Sequence, residues 1–216
     1  MTDINIVSFT SWSTYMVRWV FPCMAFISGF SVMAVQMLGG RILAPWFGGS
    51  IYIWGSIITT FLVALAVGYL SGGKLSLHNP TIRKYGTLFL CAGLSLLPLV
   101  FFSDSLISMA FDITEDPRYA SLIASFLLFF IPAGVLGMIS PYSIRMMVTS
   151  EVTSGFSAGL LYFVSTLGSA LGTIGTAFYF VLYFEINEIM LTTCLAVAIP
   201  GSICLFFTWS PDDVES

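Results

Sequence analysis

Six stretches of the chain, residues 19–38, 51–70, 85–102, 119–139, 156–184 and 189–209, contain no Asp, Glu, Lys, Arg or His. Each is at least about as long as the roughly 20 residues a helix needs to cross the hydrocarbon of a bilayer. The apolar residues are continuous and do not alternate with polar ones, which favours helices over barrel strands, because a spanning helix satisfies all its backbone groups internally. Of the 216 residues 57% are hydrophobic and 8% charged, and the mean hydropathy is +0.96. A chain so poor in charge cannot cover a soluble domain. The expected fold is an all-α integral membrane protein of six transmembrane helices. Residues 1–18 form a cytoplasmic N-terminal segment, 19–209 the helical domain, and 210–216 an acidic cytoplasmic tail. The fifth stretch is long enough to tilt or to project beyond the bilayer.

Lys and Arg set the orientation. With the N-terminus in the cytoplasm, Arg18, Lys74, Arg83, Lys84 and Arg145 fall inside, and only Arg41 and Arg118 fall outside, as the positive-inside rule requires. The first residues lack the basic region and cleavage site of a removable signal, so the first span is expected to be retained. Both termini are placed in the cytoplasm of a multi-pass protein, assigned to a bacterial inner membrane. The longest outer loop carries Asp104, Asp112, Glu115 and Asp116. Its segment 106–111 reads either as a short interfacial helix or as a packed loop.

Other function classes are disfavoured by the same inventory. A net charge of -4 gives no reason to expect nucleic-acid binding. Cys23, Cys91, Cys194 and Cys204 lie in apolar stretches without a C-x-x-C pair and read as buried small hydrophobes. His78 has no companion ligand, so no metal or other cofactor is expected. Ionisable groups are missing from the spans, which disfavours a proton-driven pump. No nucleophile and base stand at useful spacing, so the chain is not expected to be an enzyme.

Small residues mark where helices meet, since close backbone approach supplies packing energy that lipid does not. Gly68 and Gly72, Gly155 and Gly159, and Gly168 and Gly172 are each spaced four apart. On the fifth stretch Ser165, Gly168, Ser169, Gly172, Thr173 and Thr176 form one small, polar stripe, which either packs tightly or lines a polar pathway. Gln36 continues a stripe through Gly29, Met33 and Gly40 and is expected to face other helices. It either hydrogen-bonds across a helix contact or touches a ligand.

Arg41 sits at the outer end of the first helix, just before Pro45. It can snorkel to the headgroups, or, with Trp46, Tyr52 and Trp54 as walls, it can hold a carboxylate or phosphate by bidentate hydrogen bonds. At the other face Pro141 is expected to break or kink the fourth helix, with Tyr142 and Arg145 close by. There Arg145 is either a charge anchor or a ligand or partner contact.

Four linked motifs carry a resemblance. The stretch QMLGGRILAPWFGGSIYIWG from Gln36 is similar to the pattern E-x-x-x-x-R-x-L-A-P-x-F-G-x-S-x-Y-x-W-G. GYLSGGK, from Gly68 to Lys74, is similar to G-x-x-x-G-G-[KR]. The segments ending at Arg145 and at Thr173 are similar to LLGMxSPYxIR and YxxSTxGSxxGT. Across residues 29–184 the chain resembles the membrane part of the fused MFS/spermidine synthase family, in which a helical bundle precedes a soluble aminopropyltransferase-like domain. The resemblance implies a bundle like half of a major-facilitator transporter, working with a synthase-like protein. Two departures stand out. Gln36 replaces a glutamate that would meet a polyamine ammonium, and no glycine-rich turn for an adenosyl cofactor is present.

Three functions are therefore open. The first is a non-catalytic membrane subunit that anchors or works with a separately encoded synthase-like partner, with a small polar ligand held by Gln36, Arg41, Trp46, Tyr52, Trp54, Tyr142, Arg145, Ser165 and Ser169. The second is a homodimeric transporter of a polyamine-like or carboxylate molecule. The third is a structural or assembly subunit of a larger membrane complex.

Overall fold

A computed structural model of the chain describes residues 19–148 and 151–207, with the side chains of 151–153 excepted. The N-terminal segment with Arg18, the acidic tail and the end of the sixth predicted span lie outside the described residues. The helices are α1 (Phe21–Phe47), α2 (Ile51–Ser76), α3 (Ile82–Ser95), α4 (Leu97–Phe101), α5 (Ser103–Ile113), α6 (Pro117–Met147), α7 (Glu151–Gly175), α8 (Val181–Tyr183) and α9 (Ile186–Cys204). Six segments are long and apolar enough to span a membrane. The protein is an all-α membrane protein, as its sequence predicts.

Local chemistry decides where the helices start and stop. Thr81 Oγ1 accepts from the Lys84 backbone N–H at α3, and the Asp116 carboxylate accepts from the Arg118 N–H at α6. Glu185 and Glu188 form a capping box at α9, each satisfying a donor that the helix leaves orphaned. Gly48 closes α1 at φ 77, with its N–H on the Ala44 carbonyl, a backbone conformation that only glycine adopts without strain.

Prolines shift several expected boundaries. Pro141 does not break α6, which runs through both Pro132 and Pro141 to Met147. Likewise α1 continues through Pro45 to Phe47, so Arg41 stands more than one turn inside the helix end. Inside lipid a lost helical bond costs less than ending the helix and exposing a whole turn of backbone. The third span does divide, between α3 and α4, just ahead of Pro98. The segment 106–111 lies within α5, whose Ile107 and Ala110 are buried.

Backbone contacts give the packing order. Gly68 lies against Gly134 and Gly72 against Met138, while Ser56 and Ser121 share a hydrogen bond of 3.1 Å. The numbers rise together, so α2 and α6 run parallel. Gly168 lies against Phe26 and Gly172 against Phe30, so α1 and α7 are parallel too. Gly86 meets Gly201 and Gly93 meets Cys194 and Ala198, making α3 and α9 antiparallel. Spans 1–3 therefore pair with spans 5, 4 and 6, the arrangement produced by a pseudo-twofold that exchanges the two triplets. In each triplet the second span carries a Gly-x-x-x-Gly pair that seats on the first span of the other.

The glycines at 155 and 159 behave differently: among the described residues neither has a neighbour within 4 Å of where a Cβ would lie. The expectation that this pair packs is not met. Cysteines also divide, since Cys194 and Cys204 are buried but Cys23 and Cys91 are exposed, on helix faces turned away from the bundle.

Candidate functional site

The two ends of the bundle differ in charge. Ser28 of α1 bonds the Leu136 carbonyl and Gly39 lies beside Phe129, so α1 and α6 are antiparallel and Arg41 and Arg145 stand at opposite ends. Lys74, Arg83, Lys84 and Arg145 are exposed at one end. Asp104, Asp112, Glu115, Asp116, Glu185 and Glu188 are exposed at the other, with Arg41 and Arg118.

The Arg145 end is tightly fastened. Tyr142 is buried, and its hydroxyl accepts from the Thr81 N–H at 3.1 Å and lies 3.3 Å from the Thr81 carbonyl, to which it donates. Tyr85 stacks on Tyr142 with ring centroids 5.8 Å apart, meets Phe21 edge-on at 5.4 Å, and shares a 2.6 Å hydrogen bond with Ser143 Oγ. In the same loop Lys84 Nζ donates to the carbonyls of His78 and Asn79. Tyr142 is thus a loop fastener and is not open to a ligand, whereas Arg145 is exposed beside it.

At the Arg41 end the predicted aromatic walls separate. Trp54 packs on Gly40, where an added Cβ would fall 3.0 Å from its ring, and lines a cleft of about 310 Å³ with Arg41, Met37, Ala44, Ile53 and Thr176. Trp46 faces Phe111 of α5 at 6.2 Å, and Phe47 stacks on the same ring at 4.9 Å. Tyr52 lies under the guanidinium of Arg118, 5.0 Å from its centroid. Of the residues expected around Arg41, only Trp54 shares its cleft. Arg41 is exposed and has no acidic partner among the described residues.

Ser165 and Ser169 belong to the seam between α7 and α1. Ser169 Oγ donates to the Gly29 and Ser165 carbonyls at 3.1 and 3.0 Å, and an added Cβ at Gly29 would strike the Ser165 backbone. Over this stretch the stripe packs tightly against α1. Gln36 is half-buried and makes no hydrogen bond among the described residues, so the expected bond across a helix contact is absent.

Thr176 is what the sequence did not single out from that stripe. It opens a π-helical turn, Thr176–Phe180, in which the Val181 N–H reaches back to the Thr176 carbonyl. Thr173, Thr192 and Thr193 return their hydroxyls to carbonyls four residues earlier. The Thr176 hydroxyl is buried without a partner. On the other side of this turn a second cleft, of about 330 Å³, is walled by Phe30, Phe180 and Phe184, with Glu188 at its rim. π-Turns concentrate at functional sites, and nothing in hydropathy announces them. Among the described residues no group of three or more His, Cys, Asp or Glu side chains stands together to hold a metal.

No protein-family model, curated protein or solved structure matches this chain.

Proposed function

We propose that the protein is a non-catalytic membrane subunit that works with a soluble, synthase-like partner docked at its Arg145 end. The observation that carries this reading is the pre-ordered basic platform there: Lys74, Arg83, Lys84 and Arg145 exposed around a loop that Tyr142 and Lys84 hold in place. A rigid, single-sign surface steers an acidic partner and spares the cost of ordering a loop on binding. The positive-inside rule turns this end toward the cytoplasm of a bacterial inner membrane, where a soluble partner would be found. The four motifs shared with the fused MFS/spermidine synthase proteins supply the kind of partner.

Purification from native membranes in mild detergent tests the reading. A synthase-like soluble protein should be recovered in stoichiometric amount. The combined Lys74→Glu, Arg83→Glu and Lys84→Glu variant should release it. Recovery of the intact wild-type bundle alone would overturn the proposal.

A second reading, binding of a small polar ligand, is favoured by the unpaired Arg41 in its cleft with Trp54. As a transporter the chain would need a second copy to supply the other half of a major-facilitator-like bundle. Uptake into liposomes that survives Arg41→Ala unchanged would remove that reading.

A further inference from the structure

Two features of the Arg41 cleft have no use in the packing of the bundle. One is a guanidinium, which carries five donors and no acceptor and meets no carboxylate among the described residues. The other is the Thr176 hydroxyl, at the start of the π-turn, wholly buried and without a partner among the described residues. Both line the same opening. Around them the walls are apolar: Met37, Ala44, Ile53, Trp54 and Val181.

We propose that this cleft holds the headgroup phosphate of an anionic phospholipid from the leaflet around the Arg41 end. This deepens the second reading above and rests on Arg41 being a ligand contact, but not on a soluble partner. A phosphate offers several acceptors to a forked guanidinium and a hydroxyl donor together. Among the described residues Arg41 is the only charged one lining the cleft, so the headgroup ammonium of a zwitterionic lipid would find no counterion among them. Glu188 lines the other cleft, beyond the π-turn. Lipid is favoured over a free anion because the cleft lies between spans, is half open, and has walls that suit acyl methylenes. About 310 Å³ accommodates a headgroup, leaving the tails in the surrounding bilayer.

The test uses the purified full chain reconstituted in vesicles of equal phosphatidylglycerol and phosphatidylcholine, re-extracted gently and weighed by native mass spectrometry. Wild type should retain phosphatidylglycerol preferentially. Arg41→Gln should lower that retention about tenfold, the scale of one charge-assisted contact, and Thr176→Val severalfold. Arg118→Gln, which removes a cation at the same end but outside the cleft, should leave it unchanged. Ala44→Trp, which fills the cleft and keeps the charge, should also abolish retention, and it carries the test if Arg41→Gln does not fold. Equal retention of both lipids, or an equal loss in Arg118→Gln, would overturn the proposal. So would displacement of the lipid by millimolar inorganic phosphate, which would make the site one for a free anion. None of these readouts involves a partner protein, so failure here leaves the docking proposal standing.

Discussion

The hydroxyl of Tyr142, on α6, closes on both the N–H and the carbonyl of Thr81, tying the end of one span to the loop between two others. This single ring fixes the loop between α2 and α3 in register with Arg145. Tyr142→Phe keeps the stacking on Tyr85 but leaves the Thr81 amide unpaired. A loss of about 1–2 kcal/mol is expected, read as a lower unfolding midpoint in detergent. Amide exchange should rise at residues 77–82 while the middle of α6 stays protected.

The three Gly-x-x-x-Gly pairs are expected to respond unequally. Gly72→Val and Gly168→Val drive a side chain into the backbones of Met138 and Phe26, and each should destabilise the bundle by roughly 1–3 kcal/mol or more. Gly155→Ala and Gly159→Ala meet open space and should be neutral or stabilising by up to about 1 kcal/mol each through helix propensity. Thermal unfolding of the four variants side by side would separate them.

Arg118 over Tyr52 is an exposed cation-π pair joining α6 to α2. Such pairs contribute about 0.5–1 kcal/mol. A double-mutant cycle with Arg118→Gln and Tyr52→Leu should return a coupling of that size. Additive effects would show the contact to be idle.

Cysteine chemistry gives an inexpensive check on burial. Cys23 and Cys91 are exposed, and Cys194 and Cys204 are buried. Because maleimide reacts with the thiolate, which needs water to form, a membrane-permeant maleimide should modify Cys23, at the helix end, faster than Cys91 within its span, and Cys194 and Cys204 only after denaturation. Mass spectrometry of the labelled peptides would decide it.

Orientation is open to the same reagents in a cysteine-free background. His78→Cys should react with an impermeant maleimide only from the cytoplasmic side, and Gly49→Cys only from the opposite side. Reaction of both from one side would remove the basis for a cytoplasmic docking platform.

The six spans were legible because a missing charge is visible in sequence and a bilayer demands about twenty uncharged residues in a row. The glycine pairs were legible as contacts, but their partners were not: spacing reveals a flat helix face and not the helix that will lie on it. Arg41 and Trp54 share a cleft as expected. Trp46 and Tyr52 do not, because Phe111, from the segment read as either a short interfacial helix or a packed loop, and Arg118, at the edge of the outer loop, engage them first. Of the two outcomes expected at Pro141, the break does not occur, for a physical reason specific to lipid, where continuing a helix with one bond missing is cheaper than stopping it. Thr176 was legible as part of the small, polar stripe but not as its one member with an unpartnered hydroxyl at a π-turn, a change of backbone register without a residue signature.

The crosswise pairing of the two triplets has a consequence for biogenesis. Every extensive interhelical contact joins a span from the first half to one from the second, α2 to α6, α1 to α7 and α3 to α9. During synthesis the first three spans therefore enter the membrane before the helices on which they pack most extensively. The glycine seat on α2 fills when α6 arrives, and the contacts of α3 are completed only when α9 slides in.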